Sequence, residues 1–334
     1  MTADATWWLP VIFAGLLGVA ILLYAMLDGF DLGVGLLFPF ADPQERDRMI
    51  GAIGPFWDGN ETWLVLAVGL LLVAFPAANG AILTALYPLV VTMLIGLILR
   101  GVAFEFRAKA PTGNKPLWDR AFFLGSLLAS AAQGAMLGLY VLGLDLTPAG
   151  LAFAGLTAIC LPVAFSFSGA AWLILKTEGL LQLKAVHWAR HALWGVAVGL
   201  AGVSLATPLA SPRLFHKWLD LPAALLLAPL PILALVLLVW LKRLLDRLPL
   251  PEDRLAWAPF AGALALLALG FGGMAYSFWP YVLPETLTIW QAASAPDSLR
   301  IMLWGALAVV PVILGYTALA YRIFRGKATA LDYD

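Results

Sequence analysis

Nine apolar stretches, each about as long as a helix that crosses a bilayer, divide this chain almost completely. A transmembrane helix needs about 20 mostly apolar residues. Stretches of that length cover residues 8–38, 54–75, 79–103, 119–142, 151–175, 188–208, 221–243, 257–277 and 300–322. Hydrophobic residues make up 62% of the chain, and its mean hydropathy is +0.91. We therefore predict an all-α integral membrane protein with about nine transmembrane helices, in a single polytopic membrane domain over residues 1–334.

The distribution of basic residues predicts the orientation of the chain. Lys and Arg residues are retained on the cytoplasmic side of a membrane. Most of the 20 Lys and Arg residues follow odd-numbered stretches, whereas the opposite side holds only Arg213, Lys217 and Arg300. This asymmetry places the N-terminus outside and the C-terminus in the cytoplasm. The formal net charge is zero, so we expect no nucleic-acid partner.

Four acidic residues interrupt the first two stretches. Asp28 and Asp31 are three residues apart, as are Asp58 and Glu61, so each pair shares one face of a helix. A charged group at membrane depth costs about 2.5 to 3.5 kcal/mol on insertion scales, which makes such residues candidates for an ion or proton route. The spacing of Gly29 and Gly33 allows another helix to approach these carboxylates.

Two charged residues near the inner end of the third stretch belong to the same predicted layer. Helical rise brings Arg100 and Glu105 to the cytosolic depth at which the four acids lie. We expect this layer to accept protons from the cytoplasm, with Asp58 as the leading candidate. The alternative is structural, because Arg100 could neutralise one carboxylate in a buried pair.

Histidine content argues against a redox centre in this chain. Haem iron needs axial ligands, which are often histidines, and the chain has only three. His187 and His191 have the spacing of a shared metal site, but they lie in an aromatic and basic segment typical of a membrane interface. His216 follows in an outer loop. We expect no metal centre and no catalytic residue in this chain alone.

Six motifs carry a resemblance to a known family. They are DGFDLGVG (28–35), GPFWDGNETWLV (54–65), RGVAFEFR (100–107), GAAWLILKTEG (169–179), SFWPYVLP (277–284) and IFRGK (323–327). In content and order they resemble subunit II of the cytochrome bd-type quinol oxidases. The compact length and the motif WDGNETW (57–63) are most similar to those of the cyanide-insensitive branch of that family.

The resemblance implies a respiratory complex in the bacterial inner membrane, which oxidises quinol at the outer side and reduces dioxygen to water. In that family the haems b and d belong to subunit I, and subunit II completes the heterodimer within membrane lipid. Some members also hold a quinone in subunit II. The motifs do not establish whether this chain binds a quinone or whether a small single-helix accessory subunit joins the complex.

The resemblance also assigns expectations to single residues. It places Asp58 on the proton route, with Asp28, Asp31 and Arg100 as supporting candidates, and it makes Trp63 a candidate for lining an apolar oxygen path. Many members have Gln at the position of Glu61, so the resemblance gives Glu61 no role.

Two other functions fit parts of the sequence. In a secondary transporter or ion-coupled permease, intramembrane carboxylates near glycines would bind a coupling cation, but no inverted repeat is visible. In a purely structural assembly subunit of the same oxidase, the charged residues would serve packing alone.

Overall fold

The computed structural model describes residues 2–111, 113–221 and 223–328, and most of these residues are helical. The helices are α1 (Thr2–Leu37), α2 (Pro43–Ile53), α3 (Trp57–Ala74), α4 (Pro76–Lys109), α5 (Lys115–Val141), α6 (Pro148–Lys176), α7 (Gly179–Ala210), α8 (Pro212–Leu219), α9 (Ala223–Leu227), α10 (Pro229–Leu245), α11 (Ala258–Phe278), α12 (Ile289–Ala292) and α13 (Pro296–Ile323). A short antiparallel pair of strands, β1 (Tyr281–Leu283) and β2 (Leu287–Thr288), lies between α11 and α12.

The prediction of an all-α membrane protein with about nine spans is confirmed. Within the described residues, eight helices are long and apolar enough to cross a membrane. A ninth span is formed if α2 and α3 count as one, although these two helices meet at an angle of 53°. The orientation of the termini and the single membrane domain stay predictions.

Several helices begin at a proline. Pro43, Pro76, Pro148 and Pro296 each occupy the first turn of a helix. Proline suits this place because the first-turn amides have no partner within the helix. Its fixed φ angle therefore starts each helix directly after a loop.

Helix α1 lies at the centre of the bundle. It packs against α3, α5 and α6, while α4 packs on α5 and α6 packs on α7. The contact with α6 is a backbone contact: a Cβ atom on Gly33 would overlap the carbonyl of Phe165, and one on Gly169 would overlap the backbone at Gly33. A neighbouring helix therefore does approach the glycines of α1, as predicted from their spacing.

Helix α13 presents a largely unpartnered apolar face. Ile301 and Trp304 are each 75% exposed, and Val312 is 70% exposed. The same helix contacts α1 and α3. Near its C-terminal end, α13 brings Tyr321 to Asn60 of α3.

Candidate functional site

Two aspartates of α1 lie side by side inside the bundle. Asp28 and Asp31 are three residues apart and share one face of the helix. Both side chains are fully buried. The sequence prediction that both carboxylates lie together is therefore met by the geometry of α1.

One arginine joins Asp28 to a third carboxylate. Arg100 on α4 is 1% exposed. Its guanidinium donates a hydrogen bond to Asp28 over 2.7 Å and another to Glu61, on α3, over 2.8 Å. Gly125 permits α5 to pack here, because a Cβ atom at that position would lie 2.6 Å from the backbone nitrogen of Arg100. The approach of α5 thus fixes the turn of α4 that carries the guanidinium.

Asp31 has an amide partner that the sequence patterns did not single out. Asn60 Nδ2 donates to Asp31 Oδ2 over 2.8 Å and to the carbonyl of Leu27 over 3.3 Å. Its Oδ1 accepts a hydrogen bond from the hydroxyl of Tyr321, on α13, over 3.1 Å. The motif around Asn60 held a signal, since it places an amide between two acids, but nothing near Tyr321 in the sequence indicated this contact.

We call Asp28, Asp31, Asn60, Glu61 and Arg100 the carboxylate cluster. Its one cation, Arg100, pairs with Asp28 and Glu61, whereas Asp31 accepts a hydrogen bond from Asn60 and has no ion pair among the described residues. Three of its buried atoms, Asp28 Oδ2, Asp31 Oδ1 and Arg100 Nε, have no hydrogen-bond partner among the described residues. An excess of acidic groups over cations in a buried site favours the binding of protons, because ionised carboxylates are costly there. The arrangement can therefore hold and exchange protons.

The structure leaves two predicted site residues outside the carboxylate cluster. Asp58 is exposed in the first turn of α3, one turn before Glu61, and makes no hydrogen bond or ion pair with any described residue. An acid at this place also stabilises a helix N-terminus. Glu105 is half-buried, and it follows Arg100 by five residues, which is about 140° around the helix. Glu105 therefore faces away from the guanidinium.

Trp63 is enclosed by apolar side chains. It is 1% exposed and belongs to a buried cluster with Leu17, Tyr24 and Ala67. Its indole Nε1 has no hydrogen-bond partner among the described residues. The indole therefore lies in an apolar layer to which α1 and α3 contribute, and it makes no hydrogen bond to the carboxylate cluster.

A second ionic network lies near the C-terminal end of α4. Arg107 donates to Asp119, and it donates to Asp47 over 2.7 Å. Arg46 donates to Asp119 over 2.8 Å, and Lys115 donates to Asp47 over 3.1 Å. Here three cations surround two carboxylates, so the acids are neutralised. This network braces α2, α4 and α5, and its charge balance differs from that of the carboxylate cluster.

An ion pair involves Asp42, the residue that caps the N-terminus of α2 and lies outside the membrane-spanning helices. Asp42 accepts a hydrogen bond from Lys184 over 2.7 Å. This ammonium group lowers the pKa of Asp42. The pair joins the start of α2 to the start of α7.

The three histidines do not fit axial ligation of a haem inside this bundle. His187 and His191 are exposed on α7, and His216 is exposed on α8, where it contacts Asp220 over 3.2 Å. Within the described part of the chain, no group of three or more His, Cys, Asp or Glu side chains is placed to hold a metal ion.

Comparisons with known proteins agree with the resemblance read from the motifs. Residues 9–324 match the family described as cytochrome bd terminal oxidase subunit II. The chain is 30% identical to cytochrome bd-I ubiquinol oxidase subunit 2 of Escherichia coli (strain K12), over 98% of this chain and 96% of the relative. It is 27% identical to cytochrome bd ubiquinol oxidase subunit 2 of Bacillus subtilis (strain 168), over 92% of this chain and 93% of the relative.

A solved structure shows the same fold. The structure of bd oxidase from Geobacillus thermodenitrificans matches with a TM-score of 0.78 at 18% identity, and the match covers 95% of this chain and 98% of that one. The family match, the relatives and the fold agree over nearly the whole chain. The chain therefore belongs to the cytochrome bd terminal oxidase subunit II family.

Proposed function

We propose that the carboxylate cluster carries protons from the cytoplasm toward the oxygen-reducing centre of a quinol oxidase. As a member of its family, the chain is a multi-pass subunit of a bacterial inner-membrane oxidase that oxidises quinol and reduces dioxygen. Reduction of dioxygen to water consumes protons, so such a complex needs polar groups at membrane depth. This membership replaces the alternative of a secondary transporter.

The observation that carries the proposal is the excess of acids over cations in the carboxylate cluster. Among the described residues, Arg100 is the one cation paired with these acids, and it contacts Asp28 and Glu61 while Asp31 has no ion pair. The network at Arg107 instead has more cations than carboxylates. A purely structural ion pair needs no third carboxylate. Excess acid in a buried site is the arrangement expected of groups that bind and release protons.

The order of exposure suggests a direction for the route. Asp58 is exposed, Glu61 is half-buried and contacts Arg100, and Asp28 and Asp31 are fully buried. Protons would pass from Asp58 to Glu61 and then to the two aspartates of α1. Glu105 would serve only near the entrance, because it faces away from Arg100.

The haem-bearing role falls to the partner under this proposal. By analogy with the family, subunit I holds haems b and d and oxidises quinol, and this chain completes the heterodimer. The exposed position of the three histidines supports only the absence of a haem ligand role for them inside this bundle. The apolar layer around Trp63 supports a path for dioxygen, which is itself apolar. A quinone bound by this chain, a small single-helix accessory subunit and membership of the cyanide-insensitive branch stay predictions.

The location of the proton entrance has an energetic consequence. If electrons arrive from the outer side and protons from the inner side, each turnover separates charge across the bilayer without a pump. Moving one charge through 100 mV is worth about 2.3 kcal/mol. A cytoplasmic route through this chain would therefore conserve energy.

Substitution of the acids separates a proton route from a structural subunit. We expect Asp31→Asn and Asp58→Asn, in purified complex whose haem spectrum shows assembly, to slow quinol-driven oxygen uptake about tenfold or more. The matched control is Asp297→Asn, since Asp297 is 91% exposed. Unchanged turnover in both assembled variants would contradict the route and favour a structural role.

A further inference from the structure

The hydrogen bonds around Asn60 fix the orientation of its amide. Both N–H groups point to acceptors, the carboxylate of Asp31 and the carbonyl of Leu27. The amide oxygen receives the hydroxyl of Tyr321. Asn60 is 2% exposed, so its oxygen has no access to bulk water. The Tyr321 hydroxyl, together with the Leu27 carbonyl, therefore keeps the N–H side of Asn60 turned toward Asp31.

This orientation favours one protonation state of Asp31. An ionised carboxylate only accepts hydrogen bonds, whereas a protonated one also donates. Asn60 donates to Asp31 over 2.8 Å, so it stabilises the ionised form. If the amide turned over, its oxygen would face Asp31 and accept a hydrogen bond from the protonated carboxyl instead.

The end of α13 is held so that Tyr321 stays in place. The Tyr321 ring lies 4.5 Å from the ring of Phe56 and 5.9 Å from that of Trp172, measured between centroids. Beyond the helix, Lys176 donates to the carbonyls of Phe324 over 2.5 Å and Gly326 over 2.6 Å. These contacts anchor the chain directly after Tyr321.

We propose that Tyr321 is a positioning residue which, through Asn60, sets the pH at which Asp31 takes up and releases its proton. Tyr321 touches neither quinol nor dioxygen in this role. The inference rests on the proposed function of the carboxylate cluster in proton uptake, and it adds a residue of α13 to that function.

The other charged and titratable groups near Asp31 lie on three helices. Asp28 comes from α1, Glu61 from α3 and Arg100 from α4. Tyr24, also on α1, interacts with these three groups. None of them contacts the Tyr321 hydroxyl through a hydrogen bond. Removing that hydroxyl therefore takes away one of the contacts that orient Asn60 and leaves the ion pairs of Arg100 in place.

The test is the pH profile of turnover in the assembled complex. With Tyr321→Phe, the buried oxygen of Asn60 loses its donor, so the orientation that donates to Asp31 is stabilised less. A turned amide, whose oxygen accepts a hydrogen bond from protonated Asp31, therefore becomes more populated. We expect the alkaline limb of quinol-driven oxygen uptake to move to higher pH by roughly half to one unit. The matched control is Tyr316→Phe on the same helix, where the tyrosine is 62% exposed, and its profile should superimpose on that of the unaltered complex.

A double-variant cycle tests whether Tyr321 acts through Asn60. In an Asn60→Leu background, Tyr321→Phe should produce no further shift, because the amide it orients is gone. A merely structural tyrosine would lower the yield of assembled complex without moving the limb. A limb that stays in place or moves to lower pH in Tyr321→Phe would overturn the inference.

Asp31→Asn distinguishes this failure from failure of the proton route. If Asp31→Asn keeps the unaltered turnover and limb, the proposed function is wrong at Asp31. If Asp31→Asn slows turnover while Tyr321→Phe leaves the limb in place, the proton route stands and the positioning role of Tyr321 is wrong.

Discussion

Arg100 and Asp28 form an ion pair of 2.7 Å in which both side chains are at most 2% exposed. The same guanidinium reaches Glu61, whose side chain is 29% exposed. One cation thus links a fully buried acid to one that is closer to the surface. This geometry gives separate expectations for stability and for turnover.

Loss of the arginine should destabilise the complex strongly. Arg100→Gln leaves buried carboxylates without a cation, which costs about 3 to 5 kcal/mol when one member of a buried pair is removed. The measurement is thermal denaturation of the purified complex, followed by loss of the haem spectrum. Adding Asp28→Asn should recover part of the loss, because one stranded charge disappears.

The control for Arg100 is an exposed arginine on another helix. Arg300 pairs with Asp297 over 3.2 Å and is 47% exposed. Arg300→Gln should change stability by less than about 1 kcal/mol. Equal losses for the two arginines would show that burial of the Arg100 pair has no special weight.

Glu61→Gln should keep the complex assembled and alter its pH profile. Gln retains an oxygen that can accept from Arg100 but removes one negative charge from the carboxylate cluster. Fewer neighbouring anions weaken proton binding by the remaining acids, so the alkaline limb of turnover should move to lower pH by up to about one unit. This direction is opposite to that expected for Tyr321→Phe.

The same Glu-to-Gln change on the other predicted side of the membrane serves as the comparison for Glu61. Glu285 is 54% exposed and pairs with Arg213 over 2.8 Å. Oxygen uptake measured against pH should be unchanged in Glu285→Gln. A profile for Glu61→Gln that matches this control would remove Glu61 from the proton route.

The contact between α1 and α6 should tolerate no side chain at Gly33. A methyl group there would overlap the Phe165 carbonyl, so Gly33→Ala should push the helices apart and reduce the amount of assembled complex severalfold. Gly15 lies on the same helix with open space around its Cβ position. Gly15→Ala should therefore assemble normally, and equal yields of the two variants in membranes would contradict the packing.

Trp63→Phe tests the apolar oxygen path. The smaller ring leaves space in the layer between α1 and α3, so we expect kcat/KM for dioxygen to rise by a factor of a few, with turnover at saturating oxygen unchanged. The measurement is oxygen uptake at limiting oxygen. An unchanged kcat/KM would show that dioxygen reaches the haem by another path.

Local sequence was sufficient to predict the spans and part of the carboxylate cluster. Hydropathy identifies the helices because each must satisfy its backbone hydrogen bonds within the membrane. Helical periodicity predicts that Asp28 lies beside Asp31, and helical rise predicts that Arg100 lies at the same depth. These are properties of single helices or of a common depth.

Features that depend on the rotation of one helix against another were not predictable from the sequence. Asp58 faces outward because Trp63 faces the core, which fixes the rotation of α3. Glu105 lies at the predicted depth, but on a face of α4 that points away from Arg100. The contact of Tyr321 with Asn60 joins residues 261 positions apart, and no local pattern encodes it.

The most direct test of the central claim is to observe protons on the buried carboxylates. Infrared difference spectra of the purified complex, recorded between reduced and oxidised states in H₂O and D₂O, report the C=O stretch of protonated carboxyl groups. We expect an exchangeable carboxyl signal that is lost in Asp31→Asn or Asp28→Asn and kept in Asp297→Asn. A spectrum in which no carboxyl signal depends on Asp28 or Asp31 would contradict a proton-carrying cluster in this chain.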